Sequence, residues 1–312
     1  MPDDNAKYMN FLQKPDFEQI LSNPILDIAA RFWDDDRYEA FRICYRSMRV
    51  IDDLVDDRKS IQEEMSDEER GQIALTMMQW FGALKEGKPQ DDFQVTLIET
   101  VERLKIPLWP WQRLVRAMLY DLDHDGFKNF LVFLRYTEGA AIAPASVFMH
   151  LCGVQSKDGQ YAAPVFDIRR AARPLALFSY LVHIIRDFQK DSLNGLNYFA
   201  DSLLREHNLD PADLKSIAES GKIPDGFRKL IGHYHHFAEY YRIRARGTID
   251  KVRPIMSPPY QLSLEIIYNL YLQIYERIDA DGGRFTTDEL NPTPQEVRKR
   301  IHQTVIDFRP IE

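Results

Sequence analysis

The stretch YRSMRVIDDLVDDRKS, Tyr45–Ser60, decides the fold. It places Asp52, Asp53, Asp56 and Asp57 within six residues, among apolar neighbours. Apolar residues recur at three and four, the period of a helix. On a helical wheel, Cys44, Met48, Ile51 and Val55 form one apolar stripe, and Val50 and Leu54 form a second. The arc between them holds Tyr45, Arg49, Asp52 and Asp56, with Arg46, Asp53 and Asp57 further round. Asp52 and Asp56 therefore stack one turn apart. Like charges at that spacing cost an isolated helix about 0.2–0.5 kcal/mol per pair. Flanked by apolar surface, these carboxylates require a compensating cation. Mg²⁺ suits them, because it takes oxygen ligands and binds one or two carboxylates plus phosphate oxygens. A solvated acidic face neutralised by Arg46, Arg49 and Arg58 is the alternative.

A second stretch, LFSYLVHIIRDFQKDSLNGLNYF (177–199), repeats the arrangement. Asp187 and Asp191 are again four apart. Tyr180, His183 and Ala176 share their stripe, and Leu181, Val182, Ile184, Ile185 and Phe188 fill the rest. Gly195 predicts a helix stop. One such helix could be surface decoration; two suggest opposed walls of a cavity. Paired aspartates on both walls would hold Mg²⁺ ions, which would hold a diphosphate and stabilise its departure.

Working outward, nearly every segment reads as helix, over roughly 16–32, 35–58, 66–86, 90–104, 108–121, 124–152, 166–192, 198–207, 211–219, 225–250, 258–279 and 294–308. There is no convincing alternating strand pattern, no repeat and no interdomain linker. The expectation is an all-α protein, one domain over residues 1–312, built around a central cavity. The N-terminal ~15 residues and the C-terminal tail would be peripheral. A net charge of −8 excludes the basic footprint of a nucleic-acid binder. Cys44 and Cys152 read as packed core thiols in a reducing compartment. The start, MPDDNAKYMN, resembles no signal or transit peptide, and no run of about 18 apolar residues occurs. The expected location is cytoplasmic, as a monomer, with peripheral membrane contact left open.

The two motifs resemble those of the squalene/phytoene synthase family of head-to-head prenyltransferases, with this chain a divergent, bacterial-type member. The resemblance runs from about residue 35 to 280. The family's first motif, an aromatic residue, an Arg and DDxxD, is matched by Tyr45, Arg49 and Asp52–Asp56. Its second, RDxxxD followed by Gly and an aromatic pair, is matched by Arg186–Asp191, Gly195, Tyr198 and Phe199. YTEGAAIAPA (136–145) matches an intervening Tyr with small residues, and NLYLQIYERI (269–278) resembles the Tyr-rich C-terminal helix.

The resemblance implies an isoprenoid synthase-like helical bundle and a mechanism. Mg²⁺ on Asp52, Asp56, Asp187 and Asp191 assists ionisation of one allylic prenyl diphosphate. The cation is attacked by the double bond of a second, giving a cyclopropylcarbinyl diphosphate that rearranges to a squalene- or phytoene-type product. Arg49 and Arg186 would contact diphosphate; Tyr45 and Tyr136 would line the site. Asp53, Tyr180, His183, Tyr198 and Phe199 are further candidates for substrate contact. NADPH use, C15 or C20 chain length and the product stay open. A class I terpene cyclase acting on one substrate and a non-catalytic assembly factor are the alternatives.

The chain departs from the family pattern in places. Tyr180 and His183 replace the common Gln and Asn. Leu196 stands where an Arg often follows the Gly, and Ala200 where a Pro follows the aromatic pair. Ala145 replaces a glycine, and NPILDIAARFWDDD replaces the usual Ser-Phe segment. The Leu196 change removes a cationic contact expected near a second diphosphate. His183 offers either a proton acceptor beside a cation or a histidine bonded to an aspartate one turn away.

Overall fold

Asp34 starts the helix that carries the first motif: its carboxylate accepts from the Arg37 backbone N–H at 3.0 Å. That N-cap belongs to a computed structural model describing residues 6–14, 17–61, 65–157 and 159–311. The helices are α1 (Ala6–Leu12), α2 (Phe17–Ile20), α3 (Ile25–Ala30), α4 (Asp35–Ser60), α5 (Asp67–Glu86), α6 (Asp92–Arg103), α7 (Trp109–Asp123), α8 (Phe130–Thr137) and α9 (Ala143–Gly153). After a hairpin come α10 (Ile168–Arg186), α11 (Phe188–Leu193), α12 (Asp201–Glu206), α13 (Pro211–Ser220), α14 (Asp225–Val252), α15 (Pro258–Tyr275), α16 (Thr287–Leu290) and α17 (Pro294–Asp307). The fold is all-α, as the periodicity implies. The hairpin, β1 (Gln155–Lys157) paired antiparallel with β2 (Gln160–Ala162), was not expected. Three-residue strands are too short to show alternation.

Side-chain caps explain several helix starts. Ser66, Asp91, Asn129 and Asp167 each accept a backbone N–H three residues on, opening α5, α6, α8 and α10. Asp210–Asp213 and Thr293–Glu296 form reciprocal capping boxes. The sequence expectation fails where a helix breaks internally. The span 16–32 is split before Pro24, which cannot continue the earlier helix. The span 124–152 begins only at Phe130; the preceding loop bonds to the start of α12 through Asp201 N–H to Phe127 O at 2.8 Å.

α4 packs on α7 and α9, while α10 packs along α14, α9 and α15. Trp111 Nε1 donates to Ser47 Oγ at 2.8 Å, and Arg37 donates to the Leu151 carbonyl at 3.1 Å, fixing α4 against both neighbours. Both cysteines are buried, free thiols; burial pushes Cys44 up to about 12. Near the two ends, the described residues Tyr8, Leu12 and Phe308 are buried, with α1 packed on α17. Tyr8 and Phe308 meet edge to face at 6.3 Å, a pairing of distant segments that no local pattern reveals. No helix among the described residues is long and apolar enough to cross a membrane.

α8 and α9 form one rod joined by a π-helical segment, Glu138–Ile142. Gly139 lets this segment meet α7: a Cβ there would lie 2.2 Å from the Arg113 carbonyl oxygen. Its neighbours Ala140, Ala141 and Ala145 line the cavity. The small residues thus serve both packing and space. Gly139→Ala should destabilise the fold by roughly 1–3 kcal/mol, because backbone must move to admit the methyl. Urea unfolding checks this, and an unchanged midpoint would contradict it.

Candidate active site

α4, α10 and α11 bring the two aspartate motifs to one cavity of about 580 Å³. Asp52, Asp56 and Asp57 line it from α4; Asp187, Asp191 and Lys190 line it from the α10–α11 junction. Its apolar wall comes from Leu114, Phe148, Met149, Leu264 and Ile267, all buried. Arg49, at the polar end, is 45% exposed. A charged, solvent-accessible end and a dry apolar end suit an amphiphile with an anionic head.

The second motif does not lie on one continuous helix. The backbone breaks at Asp187 (φ −94°, ψ 3°), between α10 and α11. Asp191 N–H still bonds the Asp187 carbonyl at 2.8 Å, so the two carboxylates keep their one-turn spacing. Phe188 turns into the core, 4.4 Å from the Phe227 ring.

Burial dominates the electrostatics. It pushes Asp52 up to about 7, with Asp56 adding repulsion and Arg49, 2.5 Å away, opposing. Burial likewise pushes Asp191 up to about 7, helped by Asp187. Asp56 is raised for the same reason, against the pull of Arg49. Asp187 differs: burial opposes its ionisation, but the Arg186 guanidinium, at 2.6 and 2.8 Å, holds it below the ordinary carboxylate value. Among the described residues, Asp56 and Asp191 accept no side-chain hydrogen bond and form no ion pair. Partly buried carboxylates without a cation are the donor set a divalent ion satisfies. No three of the site's carboxylates come within 4.8 Å of one another among the described residues. An ion here therefore needs oxygens from elsewhere, as Mg²⁺ bound with a diphosphate has.

His183 is held neutral. Burial, then the adjacent Arg186, pushes it down to about 4. Arg186 Nη2 is 2.6 Å from His183 Nδ1; a guanidinium only donates, so Nδ1 accepts and Nε2 carries the proton. Nε2 lies 3.4 Å from Asp187 Oδ2. In this arrangement the Nδ1 lone pair faces Arg186 and Nε2 faces Asp187.

Tyr45, Tyr136, Tyr180 and Tyr198 all line the cavity. Burial raises every one of their hydroxyl pKa values, so they stay protonated. Tyr180 and Tyr198 meet edge to face at 6.5 Å. Tyr136 donates to Asp121 Oδ2 at 2.6 Å; burial pushes Asp121 up to about 6.

Three expected contacts are placed elsewhere. Arg186 does not line the cavity; it points at Asp187 and His183 and acts as their support. Asp53 pairs with Arg49 and faces solvent at 43% exposure. Phe199 is buried in the core, 4.9 Å from the Tyr234 ring, because the extended segment after Gly195 turns Tyr198 inward to the cavity and Phe199 away.

Asp121, Lys190, Asn194 and Tyr271 were missed. Asp121 had a signal: it shares the stripe of Leu114, Ala117 and Met118, where a carboxylate is out of place. Lys190 and Asn194 had none beyond proximity to the motif. Leu196 lines both this cavity and an adjoining one of about 430 Å³, which also contains Arg58, Lys59 and Arg70.

Known proteins resemble this chain in sequence and in fold. Phytoene synthase of Narcissus pseudonarcissus is 26% identical over 252 residues, covering 80% of this chain and 56% of that protein. The chain thus spans little more than half the length of that curated relative. The 15-cis-phytoene synthase of Synechococcus elongatus is 23% identical over 253 residues, covering 79% and 77%. Among solved structures, a dehydrosqualene synthase in complex with ligand superposes with a TM-score of 0.66 at 14% identity, covering 97% of this chain and 98% of that one. Squalene synthase HpnC from Alicyclobacillus acidocaldarius gives 0.62 at 14% identity, covering 85% and 89%. These share the all-α fold. The squalene/phytoene synthase family model matches residues 27–302, a span that holds both aspartate motifs, Tyr136 and α15, and the chain belongs to that family.

Proposed function

We propose that this chain, as one domain, couples two allylic prenyl diphosphates head to head. The observation that carries the reading is the pair of aspartate clusters on facing walls of one apolar cavity, each with a carboxylate, Asp56 or Asp191, that has no cation of its own among the described residues. Asp52, Asp56, Asp187 and Asp191 would hold Mg²⁺. When bound, that metal neutralises the diphosphate and stabilises it as a leaving group. Arg49 supplies a guanidinium beside the first cluster. Arg186 fixes Asp187 in its ionised form and His183 in one tautomer. The buried tyrosines surround the reacting carbons with ring faces that stabilise an allylic cation and hydroxyls that stay protonated. The apolar wall takes the prenyl chains and excludes water that would capture the cation.

Incubation with Mg²⁺ and farnesyl or geranylgeranyl diphosphate, with and without NADPH, followed by gas chromatography–mass spectrometry, tests this. A C30 or C40 product is expected. A C15 or C20 product would replace the reading with cyclisation of one substrate.

Lys59 takes over the cationic role absent at Leu196. It donates to the His124 carbonyl at 2.8 Å and pairs with Asp125 at 3.6 Å in the adjoining cavity. Lys59→Met should raise KM about tenfold, the size of a lost charge-assisted hydrogen bond. Leu196→Arg in that background should restore most of it. Unchanged KM in Lys59→Met would remove Lys59 from substrate binding.

A further inference from the structure

Away from the aspartate cavity, α12 and α14 bring three ligating side chains together. Glu206 ends α12, His207 follows it, and His233 lies within α14. His207 Nε2 is 3.1 Å from His233 Nδ1. With a Glu206 carboxylate oxygen, the three donor atoms all lie within 4.8 Å of one another. Both histidines are half-buried and the glutamate is exposed.

The donor set is two imidazoles and one carboxylate. Zn²⁺ is bound by nitrogens at about 2.0–2.1 Å and carboxylate oxygens at about 2.0–2.2 Å, which in a tetrahedron separates neighbouring donors by about 3.3 Å. The histidine nitrogens already stand near that separation. Glu206, exposed at a helix end, can swing the remaining distance by a rotamer change. Lys229, an α14 cation whose charge acts on His207, is engaged by Asp225 at 2.7 Å. Imidazole donors suit zinc and its transition-metal neighbours, whereas Mg²⁺ prefers oxygen. The cluster is thus chemically distinct from the aspartates.

Its position suggests what an ion would do. The segment from Asn194 to His207 carries Tyr198 into the cavity. It is tied down by Ala200 N–H to Tyr234 Oη at 2.8 Å and Asp201 N–H to Phe127 O at 2.8 Å. Gly226 at the start of α14 packs directly on the His207 carbonyl; a Cβ there would lie 2.3 Å from its oxygen. We propose that Glu206, His207 and His233 bind one divalent transition-metal ion of the Zn²⁺ class, with a fourth position for water, and that the ion staples this segment to α14.

Co²⁺ is the probe, titrated into the full chain in excess Mg²⁺, which competes for oxygen donors such as the aspartates but not for imidazole. One equivalent is expected to give the intense visible bands of a four-coordinate site, and Zn²⁺ should abolish them. Changes to groups that merely support a metal ligand already cost 10–100-fold in affinity. His207→Gln and His233→Gln should therefore each weaken Co²⁺ binding at least about tenfold, while Asp52→Asn leaves it unchanged. Zn²⁺ should also raise the melting temperature of wild type but not of His233→Gln. Glu206→Gln, an exposed conservative change, provides the test should a histidine variant fold poorly, and it should weaken binding in the same direction. Wild type without these bands, or bands unaltered in the folded variants, would overturn the site.

Discussion

Asp52→Asn and Asp187→Asn are each expected to lower turnover by roughly 10²–10³-fold or more, the scale of removing one preorganised electrostatic contact to developing charge. Each change is nearly isosteric and removes one charge from one wall of the cavity. The two positions are not equivalent in the folded protein. Asp52 sits near neutral pKa beside Asp56, whereas Asp187 is held ionised by the Arg186 fork. Removing the Asp187 charge leaves Arg186 with less compensation in a mostly buried setting, so circular dichroism must accompany the kinetics. Steady-state rates with a prenyl diphosphate decide the matter. Full activity in either folded variant would sink the proposal that both clusters act together.

The second large effect is on stability and its dependence on pH. Asp52 titrates at 3.8 in its ordinary state and near 7 in the metal-free fold. Between about pH 4 and 7 the folded protein holds a proton that the unfolded chain has released. The Asp52 contribution therefore falls as pH rises through that window. His183 runs the other way. Its ordinary value is 6.5 and its folded value about 4, so between those limits its contribution is lost as pH falls. The two oppose each other below pH 6.5, so the clean measurement compares wild type with Asp52→Asn. The variant lacks the Asp52 titration, while Arg49 keeps Asp53 as an ion-pair partner. Without divalent metal, it should gain stability relative to wild type from pH 4.5 to pH 8, by on the order of 2 kcal/mol. Urea denaturation at both pH values measures this. Mg²⁺ with a diphosphate should reverse the difference, because binding to the folded state stabilises wild type preferentially. A variant that tracks wild type at every pH would show that Asp52 carries no uncompensated charge.

Local periodicity made α4 legible, because its apolar stripes and its Asp34 cap run without interruption from Asp35. The same signal placed Asp52 and Asp56 on one face, and the structure has both lining the cavity. What sequence missed depends on distant partners. The break at Asp187 accompanies the burial of Phe188 against Phe227, some forty residues on. Tyr198 and Phe199 are adjacent and both aromatic, and only the path of the extended segment decides which one meets the cavity. The family resemblance implies a diphosphate contact for Arg186 from its place in the second motif. Here its Nε and Nη2 donate three hydrogen bonds to Asp187 and His183. Asp121 was overlooked although it interrupts an apolar stripe, since its partner Tyr136 lies on another helix.

The π-helical segment at Glu138–Ile142 has a consequence for how this chain tolerates insertions and deletions. A wide turn of this kind accommodates one residue beyond the α-helical count. Deleting Ala140 would let the rod close into continuous α-helix with its flanking turns in the phase they already have, because the lost residue is the one the wide turn absorbs. Phe148 and Met149 would go on facing the cavity. A deletion in the regular helix α4 ahead of Asp52 would instead turn every later residue by about 100° around the axis and carry Asp52 and Asp56 off the cavity face. The π-helical segment is thus the place on this rod where chain length can change without resetting the walls of the cavity.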